Sequence, residues 1–212
     1  MQQKDELSIY GKALADRGLV WGRSGNASIR VDSDTFLISA GGADLSMLLN
    51  EDIIPCRTES DEYEGLRQPS MEVGLHRAIY RTCKDAMAVI HSQPLYSTLV
   101  ACSNIEVRTD LLPDTMVNLE QVARVPYHHA GSDDLAKAVA VKVSANRVLL
   151  LANHGAICWG ESLSEVFLKT EALEFLCRII VTARAGGIDM NHLGDKAMKD
   201  FTYHLKRKGQ LS

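Results

Sequence analysis

No apolar run in this chain approaches the ~20 residues that a membrane-spanning helix needs. The polar opening Met-Gln-Gln-Lys-Asp-Glu leads into no apolar stretch, so no signal peptide is expected. The five cysteines (Cys56, Cys83, Cys102, Cys158, Cys177) are odd in number and scattered, without a Cys-x-x-Cys pair. That argues against a disulfide framework; they read as reduced thiols of a cytoplasmic protein, most of them small core residues. Neither Gly-x-Gly-x-x-Gly nor Gly-x-x-x-x-Gly-Lys-Ser/Thr occurs, so the nucleotide-binding loops are absent. Gly-x-Ser-x-Gly is absent too. An excess of positive charge is also missing: the net charge is −4, which speaks against a nucleic-acid or membrane-surface partner. The one basic stretch, His204-Leu205-Lys206-Arg207-Lys208, is short and reads as a solvated end that frays.

What remains is the composition of an ordinary globular protein, 46% hydrophobic and 24% charged over 212 residues, enough for one domain with a substantial core. The pattern alternates strands and helices without repeats or linkers. Helical spacing or start signals predict helices over 7–17, 71–82, 95–103, 132–143 and 162–185, with a short helical turn over 46–49. Strands are expected over 27–31, 35–39, 52–56, 86–91, 148–152 and 156–159, and 122–126 reads as an edge strand. Ser70 is a candidate N-cap for the helix that follows it. The result is an α/β fold: one domain spanning 1–212, a mixed central sheet covered by helices on both faces, and 186–212 as a C-terminal extension.

Three features carry chemistry. His91 ends the apolar strand Ala86-Met87-Ala88-Val89-Ile90, and His154 follows the apolar run Val148-Leu149-Leu150-Leu151. Strand ends are where ligands bind in open α/β sheets, and imidazole is the commonest metal ligand near neutral pH. Either histidine alone reads as a core residue satisfied by backbone; together they make a site hypothesis. The third is Glu72, placed in the first turn of a helix with His76 one turn later on the same face. By spacing alone Glu72 is a helix-dipole glutamate.

The ordered segments Gly25-Asn26-Ala27-Ser28-Ile29-Arg30, Phe36-Leu37-Ile38-Ser39-Ala40-Gly41-Gly42, Pro69-Ser70-Met71-Glu72 with His76, Val89-Ile90-His91-Ser92-Gln93-Pro94 and Leu150-Leu151-Ala152-Asn153-His154-Gly155 resemble the class II aldolase/adducin family. The resemblance covers about 7–185. It implies a three-layer fold and a metal-dependent lyase of aldolase type. Such an enzyme cleaves a small hydroxy-carbonyl compound, in the family a sugar phosphate, through a metal-stabilised enediolate. It implies Glu72 as the acid/base, His91 and His154 as ligands of a divalent ion (zinc in most of the family), and Asn26, Gly41, Gly42 and Ser70 as phosphate-binding positions. It also implies a cyclic homotetramer with active sites between subunits. Decarboxylase, dehydratase and epimerase activities share the enediolate, and adducin shows the fold as a non-catalytic interaction module.

This sequence departs from the family pattern in several places. Gln93 stands where the second histidine of the family's His-x-His pair is expected. Three outcomes are open: Gln93 as a weaker ligand favouring Mn²⁺ or Mg²⁺, another residue in the gap, or no metal. His128 and His129 are the candidates for that gap. Gly41-Gly42 and Ser70-Met71 replace Thr-Gly and Ser-Ser of the aldolases, which removes two hydroxyl donors and leaves backbone N–H groups to cradle an anion. The family aldolase's tyrosine, expected around 110–116, has no counterpart here.

Overall fold

The computed structural model describes residues 3–208. In chain order the elements are α1 (Gln3–Asp16), β1 (Asn26–Arg30), β2 (Thr35–Ser39), β3 (Ile53–Arg57), α2 (Val73–Thr82), β4 (Ala88–Ser92), α3 (Leu95–Ala101), α4 (Pro113–Leu119), β5 (Val122–Val125), α5 (Asp133–Val143), β6 (Val148–Leu151), β7 (Gly155–Gly160), α6 (Leu163–Ala185) and α7 (Gly194–Arg207). The strands form one sheet in the order β3-β2-β1-β4-β7-β6-β5. Every neighbouring pair is antiparallel except β5 and β6, so the sheet is mixed, as the sequence implies.

Helices α2 and α5 pack on each other over one face of the sheet; α6, flanked by α1, α3 and α4, covers the other. Strand β1 shows why the face matters. Its residues alternate polar and apolar, a pattern that normally marks one wet face. Here all five are buried. Ala27 and Ile29 enter the core, while Asn26, Ser28 and Arg30 lie under α2 and are satisfied inside the protein. The register puts Asn26 directly across from His91. That pairing brings the β1 polar row to the end of β4 where the candidate ligand sits.

Several expectations shift. Helix α2 begins at Val73, so Glu72 is its N-cap residue and not part of the first turn. Ser70 does not cap the helix; its Oγ accepts a hydrogen bond from the Glu72 N–H. Helix α4 lies outside the expected set: it is too short to show a period, although Pro113 at its first position is a start signal. It buries Thr115, Met116 and Leu119 and packs on α6. The basic stretch is solvated as expected, with His204, Arg207 and Lys208 exposed, but His204–Arg207 are helical and belong to α7, which packs on α4. Asp110 tethers that helix, accepting hydrogen bonds from the Leu193 and Gly194 N–H groups and pairing with His192 and Arg108.

Two glycines let the central strands meet. Gly25 has φ +78°, and a Cβ there would lie 2.8 Å from Val20 Cγ1 and 2.9 Å from the His91 carbonyl oxygen. At Gly155 a Cβ would lie 2.5 Å from the Ser92 carbonyl oxygen. Gly25→Ala therefore combines backbone strain with overpacking and lowers stability by about 1–3 kcal/mol, read from chemical denaturation. An unchanged midpoint and slope contradict this account of the β1–β4 junction.

Candidate metal centre

Glu72, His91 and His154 meet although they are far apart in sequence. His91 Nε2 lies 3.0 Å from Glu72 Oε2, and His154 Nε2 lies 3.0 Å from Glu72 Oε1. The two imidazole rings are 4.7 Å apart, tilted by 60°. Glu72 and His91 are buried, and the His154 side chain is 12% exposed, so the centre opens to solvent on the His154 side. His91 comes from the C-terminal half of β4. His154 comes from the β6–β7 turn, where Asn153 takes φ +55° to reverse the chain. Burial alone pushes the Glu72 carboxyl up, but the proximity of the His91 and His154 imidazoles outweighs it. The carboxyl is held well below the ordinary carboxylate range.

Behind the carboxylate runs a buried line of polar side chains. Asn26 Nδ2 donates to Glu72 Oε2 at 3.1 Å, and Asn26 Oδ1 lies 2.6 Å from His76 Nε2. His76 Nδ1 lies 2.6 Å from Ser28 Oγ, which lies 2.7 Å from the Tyr80 hydroxyl. Burial drives the His76 imidazole down to about 3, so it is neutral. Sequence reasoning named Asn26 and noted His76 but missed Ser28 and Tyr80. A signal was available: 72, 76 and 80 share a four-residue spacing, and 26 and 28 share a strand face.

This geometry coincides with a match along the chain. Residues 5–181 match the sequence profile of the Class II Aldolase and Adducin N-terminal domain. The chain belongs to the class II aldolase and adducin family. It is 33% identical over 174 residues to the L-fuculose phosphate aldolase of Methanocaldococcus jannaschii, covering 82% of this chain and 92% of that one. It is 28% identical over 204 residues to the 3-oxo-tetronate 4-phosphate decarboxylase of Haemophilus influenzae, covering 94% and 96%. The structure of an L-fuculose 1-phosphate aldolase superposes with a TM-score of 0.87 at 28% identity, covering 96% of this chain and 95% of that chain. These relatives are aldolases and decarboxylases, which places the chain among the enzymes of the class II aldolase superfamily.

The family is metal-dependent, and the donors of this chain fit an ion. The three ligand atoms lie within 4.8 Å of one another. His91 Nδ1 donates to the Ala156 carbonyl oxygen at 2.9 Å, which leaves the Nε2 lone pair facing the centre. Glu72 Oε1 is buried without a hydrogen bond: His154 Nε2 is near it but off the bonding direction. An unmet carboxylate lone pair between two imidazoles is what a divalent cation satisfies.

The other sequence candidates fall around this centre. Gln93 runs close over Gly155, beside the His91 ring: a Cβ at Gly155 would lie 2.9 Å from Gln93 Cγ and 3.4 Å from His91 Cε1. Ser70 is buried and adjoins the site through the Glu72 N–H. Gly42 sits in an exposed turn at φ +66°. The Gly41 N–H donates to the Gln68 carbonyl at 3.0 Å, so it is already in use. His128 and His129 lie in a loop outside the Glu72–His91–His154 group, with His129 Nδ1 3.2 Å from the Tyr127 hydroxyl. The groove of about 660 Å³ along β5 and 105–110 shares no residue with the centre.

Two measurements test this site. His91→Ala and His154→Ala each lower bound metal, and in the wild type added Zn²⁺ or Mn²⁺ at ~100 times its Kd raises stability by about 2.7 kcal/mol. Metal analysis and thermal melts read both. The second uses chelated protein. His76 is neutral when folded, with its pKa lowered from 6.5 to about 3. The unfolded chain therefore binds one more proton between those values, and stability falls as pH drops through that window. The wild type loses up to about 1.4 kcal/mol per pH unit more than His76→Gln there.

Proposed function

We propose that this chain is a metal-dependent carbon–carbon lyase that cleaves a small hydroxy-carbonyl compound, a sugar phosphate. The observation that carries the reading is the Glu72 carboxylate, buried between the two imidazoles with one oxygen left without a hydrogen bond. His91 and His154 would hold the ion beside the Glu72 carboxylate, zinc by family, or Mn²⁺ or Mg²⁺ where Gln93 also coordinates. A divalent ion there supplies Lewis-acid stabilisation of the negative charge left when a bond next to a carbonyl breaks.

The side chains do the rest. Glu72 accepts and returns the proton, since it is the carboxylate at the centre and its N–H is fixed by Ser70. The substrate's phosphate is taken by the turn at Gly41 and Gly42 with Ser70 and Asn26. Gly42 N–H and the Ser70 hydroxyl are its donors, because Gly41 N–H is engaged. Asn26 keeps one N–H of its amide beyond the bond to Glu72. His128 and His129 are further candidate substrate contacts by their place in the family pattern. The reading includes a homotetramer with sites between subunits. Met71, next to Glu72, is 71% exposed, and a large apolar side chain beside a site favours cover by a second chain. A cytoplasmic setting agrees with five free thiols.

One observation favours a second reading. Retro-aldol cleavage requires a base for the substrate's hydroxyl as well as a group to protonate the carbanion. Decarboxylation of a 3-oxo acid releases CO₂ and needs only the latter. No tyrosine lies between Asp110 and Met116. An alternative assignment as a non-catalytic family member is disfavoured by the intact Glu72–His91–His154 group.

The metal-loaded protein is offered L-fuculose 1-phosphate and a 3-oxo-tetronate 4-phosphate, with aldehyde and CO₂ as readouts. Glu72→Gln is expected to lower turnover by about 10²–10⁴-fold, well beyond its effect on metal content. Equal turnover by the two proteins removes Glu72 from the mechanism.

A further inference from the structure

The line of side chains behind Glu72 has one direction. Asn26 Nδ2 donates to Glu72 Oε2 at 3.1 Å, so the group of Asn26 that faces the carboxylate is its NH₂. Asn26 Oδ1 then faces His76 Nε2, which must carry the proton. A neutral imidazole protonated at Nε2 has its lone pair on Nδ1, so the Ser28 hydroxyl donates to it. The Ser28 oxygen is left to accept from the Tyr80 hydroxyl. Burial keeps Tyr80 protonated and His76 neutral, as this order demands. All four bonds donate toward the carboxylate.

Nothing about packing calls for these groups. Ser28, His76 and Tyr80 are each 0% exposed, and apolar side chains of similar volume would fill the same space without a desolvation cost. Their polarity is useful only if the orientation they impose is useful. Asn26 is the last link, and its amide can turn over unless something holds Oδ1. His76 is the group that holds it.

We propose that His76 is a positioning residue which, through Asn26, fixes the orientation of the Glu72 carboxylate, with Ser28 and Tyr80 setting the His76 tautomer. Oε2 is tied back to Asn26, and Oε1 is left without a hydrogen bond, facing the centre. The proposal rests on Glu72 as the acid/base. It concerns geometry held in advance, which lowers the reorganisation needed when the proton moves.

The test has two arms, so that its failure is separable from failure of the lyase reading. In the metal-loaded wild type, long-range ¹H–¹⁵N spectra of the histidine rings should show His76 as the Nε2–H tautomer alone, with a shift in Glu72→Gln, where the anchoring charge is gone. An Nδ1–H tautomer or an imidazolium overturns the proposal. In the kinetic arm, His76→Leu should lower kcat by about 10–100-fold with KM and metal content unchanged. His76→Gln keeps an N–H aimed at Asn26 Oδ1 and should recover most of that loss. Undiminished kcat in His76→Leu overturns the proposal, as does an equal loss in both variants. Should His76→Leu not fold, Tyr80→Phe removes only the far hydroxyl; it should shift the His76 ring signals and lower kcat, and an unmoved spectrum counts against the relay. If the wild type turns over neither substrate, the lyase reading fails and the tautomer alone decides the positioning role.

Discussion

A charged carboxylate placed inside this protein is the constraint around which the rest is arranged. Moving Glu72 out of water is unfavourable unless each oxygen meets positive charge or a donor. Oε2 accepts from Asn26 and lies 3.0 Å from His91 Nε2, while Oε1 lies 3.0 Å from His154 Nε2 and awaits a cation. No residue near Glu72 in sequence could supply these partners. They come from β1, the end of β4 and the β6–β7 turn, so the charge is tolerable only once the central sheet has formed. The same arrangement that makes the carboxylate tolerable gathers the donors of a metal centre.

The sheet delivers those partners through register. Asn26 and His91 face each other across β1 and β4, and His91 faces Ile157 on β7. A one-residue slip in either pairing would turn His91 to the opposite face. Glycine at 25 and 155 removes the Cβ atoms that would otherwise hold β1 and β7 away from the His91–Ser92 backbone. The Ala156 carbonyl then reaches His91 Nδ1 and selects the ring nitrogen that faces the centre. Strand pairing, glycine placement and imidazole tautomer are thus one geometric condition.

Charge elsewhere plays a more ordinary part. Arg147 joins Asp85, Glu161 and Glu165 at the end of the sheet, and Asp110 gathers Arg108 and His192 to seat α7. These pairs fasten loops and helices at the periphery. The centre differs because its polar groups are buried in sequence with one direction, running from Tyr80 to Glu72.

Much of this was determined by the sequence alone. The apolar runs before His91 and His154, the Pro-Ser-Met-Glu segment and their order specify the α/β class and the family, because local patterning and covalent order suffice for both. Strands β2 and β6 and helices α5 and α6 fall where pattern and cap residues put them, with Ser132 and Ser162 as the caps. Helix α4 and the docking of α7 escaped, since a short helix shows no period and a tail reveals its partner only when Asp110 is beside it. What the tertiary structure decided is which polar groups share a charge. Asn26 faces Glu72 and His76, Gly41 N–H is already bonded, and Ser28 and Tyr80 complete the line. Such facts depend on distances of about 3 Å between residues from 27 (Gly41 and Gln68) to 52 (Ser28 and Tyr80) positions apart, set by sheet register and helix packing together, and no local pattern encodes them.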